Sequence, residues 1–141
     1  MMQIRKISKE MIPSAWGDIR ELLIKPMIKC TTIDRFPLDY LLLSLITGEK
    51  QAWFIFNEEK NKIVASFVTE IVQYPMGLAI NLFLLGGEGL GDWRDELTSA
   101  MFNYAQEIGA KWLDTYSRRG FWETLQPLGF VEESTHYSIS I

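Results

Sequence analysis

The stretch that decides the fold is "LLGGEGLGDWRDEL", residues 84–97. An apolar run passes through a turn with glycine at positions 86, 87, 89 and 91 and enters the first turn of a helix. This arrangement is typical of phosphate binding, because the backbone N–H groups and the helix N-terminus point at the anion. The loop also carries Glu88, and Asp92 is predicted to be the N-cap. The alternative is a tight turn between a strand and a helix, without a ligand.

The composition predicts a soluble chain with a single domain, residues 1–141. Hydrophobic residues make up 48% and aromatic residues 13% of the sequence, which excludes disorder, and no apolar run is long enough to span a bilayer. The formal net charge of −4 argues against nucleic-acid binding. Cys30 is the single cysteine, so a reducing compartment is expected, either the cytoplasm or a particle assembled there.

The hydrophobic pattern along the chain predicts an α+β fold. A weak strand at residues 2–8 precedes two helices, the first of which is predicted to end at Pro26. Residues 51–74 are predicted to form an antiparallel hairpin, and "LAINLFLL" a third strand. A helix that ends at Gly109, a strand, a short helix and one or two final strands complete the order β-α-α-β-β-β-α-β-α-β(β). Because the strands are apolar, helices are expected on both faces of the sheet.

This order, with the glycine loop after the fourth strand and Gly129-Phe130 after the last helix, resembles the GNAT superfamily of acetyl-CoA-dependent N-acetyltransferases. The resemblance implies a GNAT-like fold, with a mixed, mostly antiparallel sheet flanked by helices. It also implies that the fourth and fifth strands splay around acetyl-CoA, with its pyrophosphate on the loop amides. The phrases "VTEIVQYP", "LLGG" and "SRRGFW" look like those of short GNAT-like proteins encoded by tailed bacteriophages. The implied cofactor-binding residues are Leu84, Leu85, Gly86, Gly87, Gly89, Leu90, Gly91 and Arg118.

Two features depart from the pattern of the GNAT enzymes. Gly86 stands where the family's loop has Gln or Arg, and an inward Glu88 would repel pyrophosphate by roughly 4 kcal/mol at about 4 Å, for an effective dielectric of about 20. In many GNAT enzymes a Tyr protonates the leaving thiolate, and the matching position here is Leu125. Tyr116 is the substitute candidate for this catalytic acid. Its alternative role is that of an aromatic side chain packed at a strand end.

Two polar residues interrupt the predicted apolar strands. Glu70 is the candidate catalytic base that deprotonates the acceptor amine, and Asn81 is a candidate substrate-binding residue. A carboxylate within a buried sheet must be paired, protonated or next to a cleft. Strand alternation predicts that Glu70 lies on the face opposite Phe67, Thr69 and Ile71. The alternative is that this end of the strand faces water.

Arg118 and Arg119 precede the last predicted helix and are candidates to clamp the nucleotide end of CoA. They could instead be solvated or dock an acidic partner. No metal is expected, because His136 is the only histidine and Cys30 the only cysteine.

The departures lie at ligand-contacting positions, whereas the helix pattern is intact. We therefore expect a phage-type GNAT-like protein with an eroded acetyl-CoA site, which is non-catalytic or weakly active and acts by protein contact, as a virion component or a host-interaction factor. A protein partner or a second copy of the chain is expected, and no nucleic acid or membrane. The alternative is an active acetyl-CoA-dependent N-acetyltransferase that acts on an unknown amine.

Overall fold

The computed structural model describes residues 1–29, 32–117, 122–135 and 137–141, which contain one five-stranded sheet and its flanking helices. The strands are β1 (Met2–Ile7), β2 (Lys50–Asn57), β3 (Lys62–Tyr74), β4 (Gly77–Gly87) and β5 (Ala110–Thr115). The helices are α1 (Ile12–Lys29), α2 (Thr32–Arg35), α3 (Leu38–Thr47), α4 (Leu90–Ile108) and α5 (Trp122–Leu125). No helix in the described part of the chain combines the length and apolarity that a membrane span needs.

The sheet has the order β1-β2-β3-β4-β5, so strands that follow one another in the chain lie side by side. All neighbours are antiparallel except β4 and β5, which are parallel. The parallel pair arises because α4 carries the chain back along the sheet before β5 begins. The predicted mixed, mostly antiparallel α+β sheet is confirmed.

Helices cover both faces of this sheet, as the apolar strands predicted. On one face α4 packs its predicted apolar stripe against the sheet, in a core that includes Trp53, Phe67, Ile80, Trp93, Leu97 and Met101. On the other face α1, α2 and α3 pack against Ala52, Val68 and Leu84. We call these the α4 face and the α1 face. Burial of apolar surface on both faces is the main stabilising contribution of such a sheet.

The prediction that Pro26 ends the first helix is wrong, since α1 continues to Lys29. Proline lacks an N–H, so the Leu22 carbonyl four residues earlier receives no helical hydrogen bond. Met27, just beyond the proline, is fully buried in the core of the α1 face. Tertiary packing of this last turn therefore outweighs the lost hydrogen bond.

The predicted final strands are absent from the described residues 130–135 and 137–141. The apolar side chains of this segment are exposed, among them Val131, Tyr137 and Ile139. A strand needs a partner that accepts its backbone hydrogen bonds and a surface that buries one side of it. Alternation of apolar and polar residues alone does not supply either.

Candidate functional site

The glycine loop joins β4 to α4, and the side chain of Glu88 points away from the helix. Glu88 Oε1 lies 3.0 Å from Lys62 Nζ, at the start of β3. The hydrogen bond from Lys62, then its charge and that of Lys60, hold the pKa of Glu88 below its ordinary value. The Glu88 backbone N–H donates to the Val64 carbonyl over 3.0 Å. Glu88 therefore does not place its charge where the loop would hold an anion.

The start of α4 differs from the prediction that Asp92 is the N-cap. Gly89 occupies that position, with a left-handed φ of 73°, and Asp92 lies in the first turn. The Asp92 carboxylate turns back to the loop, since its Oδ2 lies 3.3 Å from where a Cβ on Gly89 would stand. A negative charge here stabilises the helix dipole and competes with a bound anion. The carboxylate at the helix N-terminus is thus that of Asp92.

Two further contacts fix the loop. The indole Nε1 of Trp93 donates to the Glu88 carbonyl over 2.8 Å, and the Asp92 N–H donates to the Gly89 carbonyl over 2.8 Å. The amides of Leu90 and Gly91 stand at the helix start, where an N–H has no partner within the helix. These two amides are the groups that this loop offers to an anion.

Gly86 lies directly beneath α1. A Cβ built on Gly86 would overlap the Leu22 carbonyl oxygen and would stand 3.0 Å from Pro26 Cδ. The oxygen that this Cβ would overlap belongs to the carbonyl that accepts no helical hydrogen bond, because Pro26 has no N–H. A glycine at this position therefore lets α1 pack closely on β4, and a Gln or Arg side chain would not fit.

The strands β4 and β5 part in the middle of β4. Their parallel pairing runs from Leu78↔Ala110 to Leu82↔Thr115, while β4 continues to Gly87 along β3. Thr115 Oγ1 donates to the Leu82 carbonyl over 3.2 Å at the last paired position. Beyond it, no described residue of β5 pairs with residues 83–87 of β4. Since backbone groups alternate in direction along a strand, this stretch directs N–H and C=O groups toward the divergence.

A β-bulge marks the same point. Val68 pairs with Leu84 and Thr69 with Leu82, so Phe83 is the extra residue in β4. Bulges bend the strand and re-aim side chains, and they are frequent beside active sites. The bulge and the divergence together form a splay at residues 82 and 83.

A row of polar side chains crosses the sheet next to this splay. Lys50, Glu70, Asn81 and Asp114 are direct neighbours on β2, β3, β4 and β5. Lys50 Nζ lies 2.6 Å from one Glu70 oxygen, and Asn81 Nδ2 donates to the other over 2.7 Å. Direct neighbours share a face, so the row lies on the α1 face. The predicted orientation of Glu70, opposite Phe67, is confirmed, because Phe67 belongs to the core of the α4 face.

Tyr116 follows β5 and lies beside this row. The Tyr116 phenol, followed by partial burial and the Asp114 carboxylate, raises the pKa of Tyr74 at the end of β3. Partial burial, and then the charge of Glu133, raises the pKa of Asp114 above its ordinary value. A carboxylate with a raised pKa is a better proton acceptor near neutral pH. Glu70 and Asn81 thus lie side by side in the row, and Tyr116 follows two residues after its member Asp114.

Solved structures share this architecture. An aminoglycoside acetyltransferase from an uncultured soil metagenomic sample matches with a TM-score of 0.69 and 13% identity, over 99% of this chain and 96% of its own. A predicted acetyltransferase from Clostridium acetobutylicum, solved with acetyl-CoA, matches with a TM-score of 0.68 and 15% identity, over 99% and 96%. A ribosomal-protein-alanine N-acetyltransferase from Brucella melitensis biovar Abortus 2308 matches with a TM-score of 0.67 and 11% identity, over 100% of both chains. This chain has the GNAT acetyltransferase fold.

The GNAT fold was predicted from the element order and is confirmed. No protein-family model matches the sequence, and no curated protein matches it. At 11 to 15% identity, this similarity shows the fold and not the reaction, which depends on the residues of the site.

The residues predicted to bind the cofactor occupy different environments within the GNAT fold. Leu84 is buried in the core of the α1 face and Leu85 packs toward α4, so these two would offer backbone groups only. Gly87 and Gly91 are exposed, and Leu90 is half-buried. Arg118, like Arg119, Cys30 and His136, lies outside the described residues. Leu125, at the family's Tyr position, is buried.

Sequence reasoning missed Lys50, Asp114 and Tyr74. A charge at the start of an apolar strand was the available signal for Lys50, and Asp114 interrupts the apolar pattern of β5 in the same way. Their grouping follows from strand register, which the sequence did not give. Among the described residues, no group of three or more His, Cys, Asp or Glu side chains is arranged to hold a metal ion.

A cavity of about 1770 Å³ lies along the outer edge of β5. Its lining includes Tyr74, Trp112, Asp114, Tyr116 and Glu133, and none of the residues of the glycine loop. Of the polar row, Asp114 lines this cavity, whereas Lys50, Glu70 and Asn81 do not.

Proposed function

We propose that this protein transfers an acetyl group from acetyl-CoA to an amine. The observation that carries the proposal is the meeting of the splay and the polar row at residues 81–83, with Asp114 on the diverging strand β5 and Tyr116 just after it. A group entering the splay from the helix start would end beside a proton acceptor and a proton donor. The GNAT fold supports the same assignment.

The residues present fit acetyl-CoA in part. Leu90 and Gly91 offer amides at the start of α4 to a pyrophosphate, and residues 83–87 offer to a pantetheine arm a strand edge that no described residue of β5 pairs. Glu88 does not oppose this, because Lys62 holds its carboxylate outward. Asp92 does oppose it, since its carboxylate turns toward the loop. We therefore expect acetyl-CoA to bind weakly, because the Asp92 carboxylate lowers the affinity for its pyrophosphate.

Acetyl-CoA supplies an activated thioester, and this chain's own residues would manage the protons. We assign Asp114 as the group that accepts the amine proton, because the Glu70 oxygens already accept from Lys50 and Asn81. Glu70 then acts as a positioning residue, which orients the Asn81 amide beside Asp114. Tyr116 is the phenol that would protonate the departing thiolate, in place of the residue that Leu125 cannot supply.

The cofactor site is tested by calorimetry with acetyl-CoA. Gly91 is exposed, and nothing lies within 4 Å of a Cβ built on it, so Gly91→Glu and Gly91→Gln form a matched pair that differs mainly in charge. We expect Gly91→Glu to bind acetyl-CoA at least about tenfold more weakly than Gly91→Gln, from charge repulsion at the helix start. Asp92→Asn should bind more tightly than the wild type, and Glu88→Gln should bind equally. Equal affinities of the Gly91 pair would refute the placement of the pyrophosphate.

Turnover is tested by amine-dependent release of CoA, followed with a thiol reagent. Asp114→Asn should lower kcat about a hundredfold, which is typical of the loss of a general base, and Tyr116→Phe should lower it less. Glu70→Gln can still accept the hydrogen bond from Asn81 but not that from Lys50, and should retain part of the activity. The assignment of roles fails if Glu70→Gln is inactive while Asp114→Asn retains full activity.

A non-catalytic role is the second candidate. It is favoured by Asp92 at the helix start, by Gly86 in place of a side-chain donor and by Leu125 in place of an acid. In that case the protein would act by contact with another protein or with a second copy, in the cytoplasm or in a phage particle. Amine-dependent CoA release by the wild type would exclude it, and a wild type that neither binds acetyl-CoA nor releases CoA would support it.

A further inference from the structure

Asn81 has a buried acceptor atom that no described residue satisfies. The residue is only 7% exposed, and its Oδ1 is inaccessible to solvent and has no hydrogen-bond partner among the described residues. Asn81 also does not line the cavity at the edge of β5. A ligand in that cavity therefore cannot reach this oxygen, and a donor for it must come from a group that packs against it.

The orientation of the Asn81 amide follows from its contact with Glu70. Asn81 Nδ2 donates to Glu70 Oε1 over 2.7 Å, and the other Glu70 oxygen lies 2.6 Å from Lys50 Nζ. A flipped amide would bring two acceptor oxygens together, so Nδ2 faces Glu70 on β3. Oδ1 is then on the side of β5, where Asp114 is the register partner of Asn81.

Asp114 can supply the missing donor only when it is protonated. An ionised carboxylate accepts hydrogen bonds, whereas a protonated carboxyl group also has an O–H to donate. Asn81 and Asp114 share the α1 face, because the residues before them, Ile80 and Leu113, pack in the core of the α4 face. An ionised Asp114 would place a negative charge beside the unpartnered oxygen, which is unfavourable for both groups.

The acidic surroundings of Asp114 favour the protonated form as well. Partial burial, and then the charge of Glu133, raises the pKa of Asp114. Glu70 contributes a further carboxylate from β3, one position beyond Asn81. Tyr74 at the end of β3 and Tyr116 after β5 bring phenol groups and no positive charge.

The described cations of this region are engaged elsewhere. Lys50 pairs with Glu70, and Lys111 Nζ donates to the Met76 carbonyl over 2.8 Å. The helix α1, which packs on β4, turns to the sheet only side chains that do not titrate, namely Ile12, Ile19, Leu23 and Met27. No described cation is therefore in place to hold Asp114 in its ionised form.

We infer that Asp114 carries a proton, which it donates in a hydrogen bond to Asn81 Oδ1, and that this bond joins β5 to β4 beside the splay until Asp114 ionises. The bond lies one position before Leu82 and Thr115, the last paired residues of the two strands. Asp114 lines the cavity, so its proton can exchange with solvent although Asn81 is buried. The link between the strands is therefore sensitive to pH.

This link does not require a transfer reaction. One consequence rests on the proposed function: where Asp114 takes a proton from an amine, Asn81 Oδ1 accepts the hydrogen bond of the O–H that forms. Asn81 is then a positioning residue for that proton.

The test is an NMR titration of the wild type, without acetyl-CoA or an amine, that follows the side-chain carbons of Asn81 and Asp114. Both carbons are assigned through bonds to their backbone signals, so this titration needs no variant. We expect the Asn81 carbonyl carbon and the Asp114 carboxyl carbon to shift with one common midpoint, above the ordinary pKa of an aspartate. An Asn81 signal that stays constant while Asp114 titrates would overturn the inference.

Asn81→Leu separates the hydrogen bond from burial, because leucine keeps the bulk of the side chain and removes the acceptor. The midpoint of Asp114 should fall by at least about half a pH unit, since the protonated form loses its acceptor. A midpoint that is unchanged or higher would show that burial alone raises it, and the inference would be wrong.

Asn57→Leu is the matched control. Asn57 is 8% exposed, lies at the opposite end of β2 from Lys50 and accepts a hydrogen bond from the Lys60 N–H. The same substitution there should leave the midpoint of Asp114 unchanged. If both variants shifted the midpoint equally, the shift would reflect a general loss of packing, which would also overturn the inference.

The outcomes separate this inference from the proposed function. A common midpoint in a wild type that neither binds acetyl-CoA nor releases CoA would support the link and reject the transferase. Amine-dependent release of CoA by a wild type whose Asn81 signal stays constant would do the reverse.

Discussion

Replacement of Gly86 by alanine tests the closest backbone contact between a helix and the sheet. A Cβ on Gly86 would overlap the Leu22 carbonyl oxygen and would stand 3.0 Å from the Leu22 carbonyl carbon and from Pro26 Cδ. The obstructing atoms belong mainly to helix backbone, so a change of side-chain rotamer cannot relieve the overlap. The variant must instead push α1 away from β4 by on the order of 1 Å.

The expected cost of this displacement is about 3 kcal/mol. Overpacking of a core usually costs roughly 1 to 3 kcal/mol, and the rigid contact places Gly86→Ala at the upper end of that range. The displacement would also loosen the contacts that Leu23 and Met27, both fully buried, make on the α1 face. Three kilocalories per mole is a large part of the stability of about 5 to 15 kcal/mol that a domain of this size has.

Urea unfolding followed by circular dichroism measures this cost directly. Gly91→Ala is the matched control, because Gly91 lies within α4 and nothing stands within 4 Å of its built Cβ. We expect Gly91→Ala to raise the free energy of unfolding by up to about 1 kcal/mol, since alanine favours the helix. A Gly86→Ala variant within about 0.5 kcal/mol of the wild type would refute the close packing of α1 on β4.

Three further predictions concern the polar row and the loop. Lys50→Met removes the ammonium group that faces Glu70 and should lower the free energy of unfolding in urea by about 2 to 3 kcal/mol. Lys50→Met combined with Glu70→Gln should recover part of this loss. If the effects of the two substitutions on the free energy of unfolding simply add, the pairing is contradicted. The pKa of Asp114 is raised in the folded state, so the folded state binds more protons than the unfolded state between the ordinary and the raised pKa. The free energy of unfolding should therefore fall as pH rises through that interval. Asp114→Asn should remove this dependence, and a variant with the same pH profile of the melting temperature as the wild type would contradict the prediction. Trp93→Phe removes the indole hydrogen bond to the Glu88 carbonyl and should lower the free energy of unfolding by about 1 kcal/mol. If the loop holds the cofactor, the variant should also bind acetyl-CoA more weakly in calorimetry. A variant with the melting temperature of the wild type would argue against this hydrogen bond.

Much of the fold could be predicted from the sequence because its signals are local. The apolar stripe of α4, the end of that helix at Gly109 and the β2–β3 hairpin are all set by residues within one element or between neighbours. Predictions failed where packing against a distant part of the chain, or its absence, overrode the secondary structure that the local sequence favours. Pro26 does not end α1, because the last turn packs on the sheet, and the C-terminal segment forms no strand over its described residues.

The candidate site could be predicted only in part for the same reason. Glu70 and Asn81 were identified as polar residues in apolar strands, and the sequence could not show that register places them beside Asp114. The direction of Glu88 depends on Lys62, which is 26 positions away and reaches it only because β3 and β4 pair. The sequence prediction considered only neighbours along the chain. It therefore assigned the carboxylate that would repel a pyrophosphate to Glu88 instead of Asp92.

The sequence by itself determined the elements from β1 to α5 and their order, since helix periodicity, strand alternation and glycine positions act over a few residues. Tertiary structure alone decided the register of the sheet, the splay at residues 82 and 83 and the close approach of α1 to Gly86. These features depend on which backbone groups and side chains meet across long stretches of chain. Hydrogen bonding and packing between such stretches are set by the whole fold, and the charges of the site take their roles from that arrangement.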